Sequence, residues 1–353
     1  TDSTAGVAST SGKAALYILL IEDAGSGWTL GTNFFKITTT GSVATPNGLA
    51  AVAPVDLDDD GHVDFVYAGD LLGNLERFDL TGSAGNWTYN TLFSAKDSNA
   101  VAQPITSRPE VGRHSTGVGV MIYVGTGRYL ATGDNATSGQ QTQTFYGVWD
   151  KTVKNGLTWT LGATVQRSGF LQQKILQETT DADGNPVRIT SDKADGSAYK
   201  MDWKVNTGWY IDLYNTQSGN VNNFGEKQVT DSVLQNKQIE FATLIPDASA
   251  CEAGGSGWIM KLDPDDGSRI DAGAFLLINN NPVLVTAMIA GVSVPNTATS
   301  GVKSRVGIPS KPTIVLGESG MRYEYISGSK QKGPSGSTVD YVAAPVGPRS
   351  SGR

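Results

Sequence analysis

Five aspartates lie within nine residues near the start of the chain, and their spacing is that of a calcium-binding loop. Residues 56–64 follow the pattern D-x-D-x-D-G-x-x-D, in which the first three carboxylates alternate along the backbone. Calcium takes six to eight oxygen ligands at about 2.3–2.6 Å, and Gly61 permits the sharp turn that brings such ligands together. The expected ligands are four carboxylates and one main-chain carbonyl: Asp56, Asp58, Asp60 and Asp64 by side chain, and His62 by its carbonyl.

The flanks of this loop differ from those of an EF-hand. The twelfth loop position is Tyr67, where an EF-hand has a bidentate Glu, and residues 63–68 have the composition of a strand. We therefore expect an EF-hand-like calcium loop on a β-hairpin, with Asp64 completing the ligand shell. The alternative is an acidic, solvated turn, in which mutual repulsion would raise the carboxylate pKa values. The acidic segments 181–184 and 263–267 lack the third alternating carboxylate and are expected to be hairpin turns.

The composition favours an all-β fold. Gly accounts for 43 of 353 residues while only 17% are charged, which suits many short strands joined by tight turns. Runs rich in β-branched and aromatic residues, bounded by turn residues, predict strands. These runs are 14–21, 34–38, 63–68, 75–80, 87–92, 118–125, 144–149, 209–213, 239–245, 258–262, 313–316 and 323–326. Two segments, 169–178 and 226–237, are predicted as short helices in insertions.

A loose repeat places an Asp at the end of several predicted strands, usually just after an aromatic residue. It occurs at 77–79, 148–150, 209–212 and 260–263. Divergent repeats of this kind suit a β-propeller, whose blades bury their faces against neighbouring blades. An ordinary large β-sandwich is the alternative.

Charge, hydropathy and cysteine content exclude several classes of function. The net charge of −7 argues against nucleic acid and anionic lipid as partners. No apolar run approaches the ~20 residues that a membrane span needs. A single cysteine, Cys251, permits neither an internal disulfide nor a cysteine zinc site. The chain begins at Thr1 without a signal segment, so we expect a processed protein or an excised fragment.

Five distinctive strings follow one another along about residues 47–270. They are the calcium-loop segment 47–80, the GTGR turn at 124–130, FYGVWD within 143–150, GWYIDL at 208–213 and the C-x-x-GG-x-GW strand within 251–263. In type and order these strings resemble the C-terminal domain of the type IV pilus tip-associated adhesin and biogenesis factors, the PilC/PilY family.

The resemblance implies a modified, quinoprotein-like β-propeller with one calcium loop on a blade hairpin, and its calcium ligands map onto the five residues already named. We expect one domain over residues 1–340 and a disordered tail over 341–353, without the variable N-terminal half of the family. The resemblance also implies a bacterial cell-surface location, at the pilus tip or associated with the outer membrane. The implied partners are minor pilins, assembly proteins and a host or surface receptor. The sequence holds no Arg-Gly-Asp motif, so integrin binding is not carried over.

The function expected on this basis is that of a calcium-binding, non-enzymatic surface domain that regulates pilus assembly and retraction (twitching motility) and supports adhesion. One alternative is a carbohydrate- or protein-binding adhesin with purely structural calcium, in which Trp28, Trp87 and Trp159 beside turns could stack on sugars. A quinoprotein-type dehydrogenase is disfavoured, because its quinone pocket typically uses an adjacent cysteine pair and this chain has only Cys251.

Overall fold

The computed structural model describes residues 10–131, 133–215, 224–247, 255–270, 273–275, 282–316, 321–329 and 340–345. Nearly all regular structure in these ranges is β-strand, which confirms the all-β class. The chain divides into two compact units. The first comprises Thr1–Gly127 and Val148–Ser168, and the second comprises Arg128–Gly147 and Gly169–Arg353.

The first unit contains the predicted calcium loop and is built from short antiparallel strands. Its main sheet has the order β3-β4-β5-β6, and β1–β2, β7–β8 and β10–β11 form further antiparallel pairs. The bounds are β1 Lys13–Leu19, β2 Phe34–Gly41, β3 Leu49–Val55, β4 Phe65–Asp70, β5 Asn74–Asp79, β6 Thr88–Ser94, β7 Glu110–Arg113, β8 Val120–Gly125, β9 Thr144–Asp150, β10 Val153–Asn155 and β11 Thr158–Thr160. Of β9, residues 148–150 belong to this unit.

The register of β3 and β4 fixes the position of the loop. Val55 is paired with Phe65, so residues 56–64 form the connection at the end of this hairpin. All six residues of β4 are buried, and Val66 and Ala68 pack with Phe78 of β5 in one core cluster. The loop therefore precedes a strand that is buried along its whole length.

The second unit contains most of the remaining strands. Seven of them are arranged in the order β15-β16-β19-β22-β13-β12-β14, and β12 and β14 are parallel. The other groups are the pairs β17–β18 and β20–β21 and the three-stranded sheet β23-β24-β25. The bounds are β12 Leu171–Thr180, β13 Pro186–Thr190, β14 Gly208–Asn215, β15 Val233–Gln235, β16 Gln238–Ala242, β17 Ile245–Pro246, β18 Gly255–Ser256, β19 Trp258–Leu262, β20 Leu284–Ile289, β21 Val292–Ala298, β22 Gly301–Lys303, β23 Thr313–Leu316, β24 Met321–Ile326 and β25 Asp340–Pro345.

Both predicted helices are wrong. Residues 169–178 fall largely in β12, where burial alternates from Leu171 with a period of two and strands lie on both sides. Pairing and burial outweigh the good helix propensity of Gln, Lys and Leu in this segment. Within 226–237, β15 turns into β16 through Asn236 and Lys237, both at positive φ, the backbone of a tight hairpin turn.

The helical turns in the described residues are all of the short 3-10 type. They lie at Ile21–Ser26, Arg167–Gly169, Lys193–Asp195 and Ser197–Tyr199. Among the described residues, no helix has the length and apolar character needed to cross a bilayer.

The expected limits of one domain over 1–340 and a tail over 341–353 stay a prediction. Strand β25 lies across that boundary, and residues 346–353 are outside the described ranges. Cys251 is outside them as well.

Candidate calcium site

Three of the four predicted carboxylate ligands converge at the end of the β3–β4 hairpin. Asp56, Asp58 and Asp64 each place one carboxylate oxygen within 4.8 Å of the others. Two Ca–O bonds of the usual length span about 4.6–5.2 Å, so three oxygens at this spacing can contact one calcium ion. The donor set consists of hard oxygens only, as Ca²⁺ requires.

Hydrogen bonds within the loop hold these carboxylates in place. The amides of Asp60 and Gly61 donate to the two carboxylate oxygens of Asp56, at 3.1 and 2.8 Å. The Leu57 amide donates to Oδ2 of Asp64 at 2.8 Å. Gly61 has φ +90°, a left-handed conformation that a side chain would strain, and this explains the glycine at that position.

The structure places Asp60 and His62 differently from the other three predicted ligands. Oδ1 of Asp60 accepts a hydrogen bond from the His62 amide at 2.9 Å and lies 3.1 Å from His62 Nδ1. The hydrogen bond from the His62 amide lowers the pKa of the Asp60 carboxyl group. The Asp60 carboxylate is thus not part of the group of three, and both Asp60 and the His62 carbonyl remain predicted ligands.

Asp64 is the most buried carboxylate of the group. Its residue exposure is 6%, whereas Asp56 and Asp58 are half-buried. Burial raises the pKa of Asp64, and the nearby charges of Asp58 and Asp60 raise it further, against the bonds from the Leu57 and Asp58 amides that lower it. A bound dication would oppose both the burial penalty and the repulsion, so the electrostatics of the loop favour a cation.

Two basic side chains from elsewhere in the first unit contact the loop, and the sequence pattern did not reveal either. Nη2 of Arg113 lies 2.5 Å from Oδ2 of Asp59, a residue 54 positions away. The ammonium of Lys154 donates to Oδ2 of Asp58, a residue 96 positions away. Contacts over such sequence distances leave no periodic signal, since only tertiary packing brings the partners together.

The β10–β11 hairpin carries Lys154 and is docked beside the loop. Lys154 is paired across the hairpin with Trp159, whose ring meets Phe65 edge-on with the ring centroids 5.0 Å apart. Phe65 directly follows Asp64, the buried predicted ligand. Packing of Trp159 on the base of the loop therefore sets the position of Lys154.

A cleft of about 430 Å³ opens beside the loop. It is lined by the end of β3, the loop residues Asp56, Leu57 and Asp59, and all of β7. Arg108 and Glu110 form an ion pair of 3.7 Å at its wall.

Two lesser predictions have clear outcomes. The segment 181–184 is the turn between β12 and β13, and Oδ1 of Asp181 accepts hydrogen bonds from the Asp183 and Asn185 amides, which confirms a hairpin turn. Of the three tryptophans expected at the surface, Trp28 is 48% exposed, whereas Trp87 and Trp159 are half-buried.

Comparison with known proteins connects this chain to a family. The family model of the PilY1 beta-propeller domain matches residues 2–185, more than half of the chain. The chain belongs to the PilY1 beta-propeller family. The match confirms the resemblance found in the sequence and, with it, the β-propeller fold class.

Individual relatives agree with this family. The type IV pilus biogenesis factor PilY1 of Pseudomonas aeruginosa strain PAO1 is 31% identical over 79% of this chain and 25% of its own length. A PilY1 homolog of Xylella fastidiosa is 32% identical over 63% of this chain and 14% of its own length. The crystal structure of the P. aeruginosa PilY1 C-terminal domain matches with a TM-score of 0.66 and 28% identity, covering 83% of this chain and 62% of that one.

The chain thus spans about a quarter of the length of the P. aeruginosa relative it matches. Family membership supports a role as part of a type IV pilus biogenesis factor.

Proposed function

We propose that this chain is a calcium-binding, non-enzymatic surface domain of a type IV pilus biogenesis factor. In this role it regulates pilus assembly and retraction and supports adhesion, at the pilus tip or in association with the outer membrane of a bacterium. Its partners are minor pilins and assembly proteins of the pilus, and a host or surface receptor. The observation that carries the proposal is the convergence of the Asp56, Asp58 and Asp64 carboxylates in the first unit.

Calcium acts here through the free energy of the loop. An ion that binds only the ordered loop stabilises it by about 2.7 kcal/mol at one hundred times Kd. Without the ion, repulsion among the carboxylates opposes the packed arrangement, and burial of Asp64 adds to this cost. Calcium concentration thereby controls how firmly the end of the β3–β4 hairpin is held.

Replacing one ligand should abolish most of the calcium affinity without unfolding the loop. Asp64→Asn keeps the shape of the side chain and an acceptor oxygen for the Leu57 amide, but removes the buried charge. We expect calcium affinity to fall at least tenfold, because a carboxylate ligand becomes a neutral amide. Isothermal titration of chelator-treated protein with CaCl₂ measures the change.

Asp59→Asn is the matched control within the same loop. The Asp59 side chain is 76% exposed and contacts Arg113 rather than the ligand group, and its positive φ suits Asn equally well. Its calcium affinity should stay within about threefold of wild type. Equal affinities in wild type and Asp64→Asn would remove Asp64 from the site, and no calcium binding by the wild type would reject the calcium proposal.

The link to pilus function is tested in cells. A bacterium whose full-length protein carries Asp64→Asn should show altered surface piliation and twitching motility, whereas the Asp59→Asn strain should behave as wild type. Normal motility in a strain whose protein no longer binds calcium would reject the regulatory role while leaving the metal site intact.

A second candidate is a carbohydrate- or protein-binding adhesin in which calcium is purely structural. The cleft beside the loop and the exposed ring of Trp28 favour it. Binding of a glycan or surface protein would favour this candidate if it persists in the Asp64→Asn protein and also in the wild type treated with a calcium chelator.

A further inference from the structure

The ammonium of Lys154 contacts one of the carboxylates that form the proposed calcium site. Its ammonium donates to Oδ2 of Asp58, one of the three convergent carboxylates, and the two side chains are 33% and 14% exposed. The lysine therefore partly neutralises the same carboxylates that would bind the cation.

The lysine is held there by the fold and not by the loop itself. Lys154 lies on β10 directly opposite Trp159 on β11, so both side chains project from one face of the hairpin. The edge-on contact of Trp159 with Phe65 fixes that face against the base of the loop. The ammonium also lies 5.4 Å from the centroid of the Trp159 ring, close enough for a cation–π contact.

A dication and this ammonium compete for the same carboxylate. An ion at ligand distance from Asp58 would place its double positive charge within a few ångströms of the Lys154 ammonium, and the two cations repel each other. Binding must break the contact of Lys154 with Asp58 or bear that repulsion. Because the ammonium already lies within cation–π distance of the Trp159 ring, that contact can persist when the bond to Asp58 is broken.

On the basis of the proposed function, we infer that Lys154 is a built-in counter-ion that sets the calcium affinity of the loop. It holds Asp58 when calcium is low and releases it when calcium binds. Lys154 thereby lowers the affinity and shifts the calcium response to higher concentrations. Because linkage is reciprocal, occupancy of the loop also controls whether the β10–β11 hairpin is tied to Asp58.

The affinity of Lys154 variants tests this inference. Lys154→Met removes the charge but keeps a long apolar stem to cover Trp159, and its calcium affinity should rise about tenfold, or about 1.4 kcal/mol. Lys154→Arg keeps the charge and should stay within about threefold of wild type. Lys151→Met removes an equal charge from a lysine whose ammonium lies over Trp149, and its affinity should be unchanged. Isothermal titration with CaCl₂ at fixed ionic strength measures all four proteins.

The outcomes separate this inference from the proposed function. Calcium binding by wild type with the same Kd in Lys154→Met would reject the role of Lys154 and leave the calcium site standing. Calcium binding by Lys154→Met alone would reject the site in the native chain and support the role of Lys154. Failure of every variant to bind would reject both.

A second readout follows the lysine itself. Limiting amounts of an amine-acylating reagent, with peptide mass spectrometry, should modify Lys154 several-fold more in the presence of CaCl₂, because the ammonium has left Asp58. Modification of Lys151 should not change. Equal labelling of Lys154 with and without bound calcium would show that Lys154 stays bound to Asp58. This result would reject the proposed replacement of Lys154 by calcium.

Discussion

Asp150→Asn should lower the free energy of unfolding by about 3–5 kcal/mol, the usual cost of leaving a buried charge without its partner. The guanidinium of Arg77 is 1% exposed and donates to both oxygens of Asp150, at 2.7 and 2.8 Å. The buried hydroxyl of Tyr67 donates to Oδ2, and the amide and hydroxyl of Thr152 donate to Oδ1. Both oxygens of Asp150 thus accept hydrogen bonds from donor groups. In the Asp150→Asn protein, the side-chain NH₂ would therefore face a donor in either orientation of the amide. Urea unfolding monitored by circular dichroism measures the loss.

Asp79→Asn provides the matched control. Asp79 ends β5, two residues after Arg77, and its Oδ1 accepts hydrogen bonds from the amide and hydroxyl of Thr81 near the surface. Asn can accept the same bonds, so the change should be under about 0.5 kcal/mol. A loss below about 1 kcal/mol for Asp150→Asn would show that the buried pair does not stabilise the first unit.

This ion pair also affects the loop of the proposed calcium site. Asp150 ends β9, and the β10–β11 hairpin with Lys154 and Trp159 begins three residues later. The pair therefore anchors the segment that carries the loop's basic partner, and Asp150→Asn should loosen that hairpin as well.

Glu76→Gln should stabilise the protein by up to about 3 kcal/mol at pH 8, the free-energy equivalent of the raised pKa of Glu76, and by almost nothing at pH 4.5. Glu76 is fully buried in β5, its Oε2 accepts the Thr91 hydroxyl at 2.8 Å, and its Oε1 has no hydrogen-bond partner among the described residues. Burial raises its pKa to about 7, the negative charge of Asp70 adds to the shift, and the bond from Thr91 opposes it.

The direction of the pH dependence follows from this raised pKa. Below pH 4.5 the carboxyl is protonated in both the folded and the unfolded state, so its contribution to stability is fully present. As the pH rises from about 4.5 through about 7, the unfolded chain releases the proton while the folded protein retains it, and stability falls. A glutamine resembles the neutral acid at every pH, so the variant escapes this loss.

Unfolding free energies of wild type and Glu76→Gln measured between pH 4.5 and 8 test the prediction. Glu22→Gln, at an exposed position of the first unit, should track the wild type throughout. Parallel curves for wild type and Glu76→Gln would show that Glu76 titrates like an exposed carboxyl.

Much of the fold could be predicted, because strand signals are local. The predicted strands at 63–68, 75–80 and 144–149 correspond to β4, β5 and β9 within a few residues, since β-branched and aromatic residues between turns mark them. The two predicted helices failed where local propensity competes with pairing. At Asn236 and Lys237 the backbone reverses at positive φ, which helix propensity does not report.

The strand-end aspartates show the same limit at single residues. Asp79 and Asp150 occupy equivalent places in the loose repeat, after an aromatic residue at the end of a strand. One caps a surface turn through Thr81, and the other binds a buried guanidinium. Their sequence context is alike, so only the packing around each decides its role.

The sequence by itself determined which donor groups the candidate site contains, and these are carboxylate oxygens. Asp56, Asp58 and Asp64 lie within nine residues around Gly61, so the local geometry of the chain is enough to bring their carboxylates together. Only the tertiary structure decided which charges oppose them, since Arg113 and Lys154 reach the loop across 54 and 96 residues. Such long-range pairs depend on how whole strands and hairpins pack, and a local pattern of residue types does not predict that packing.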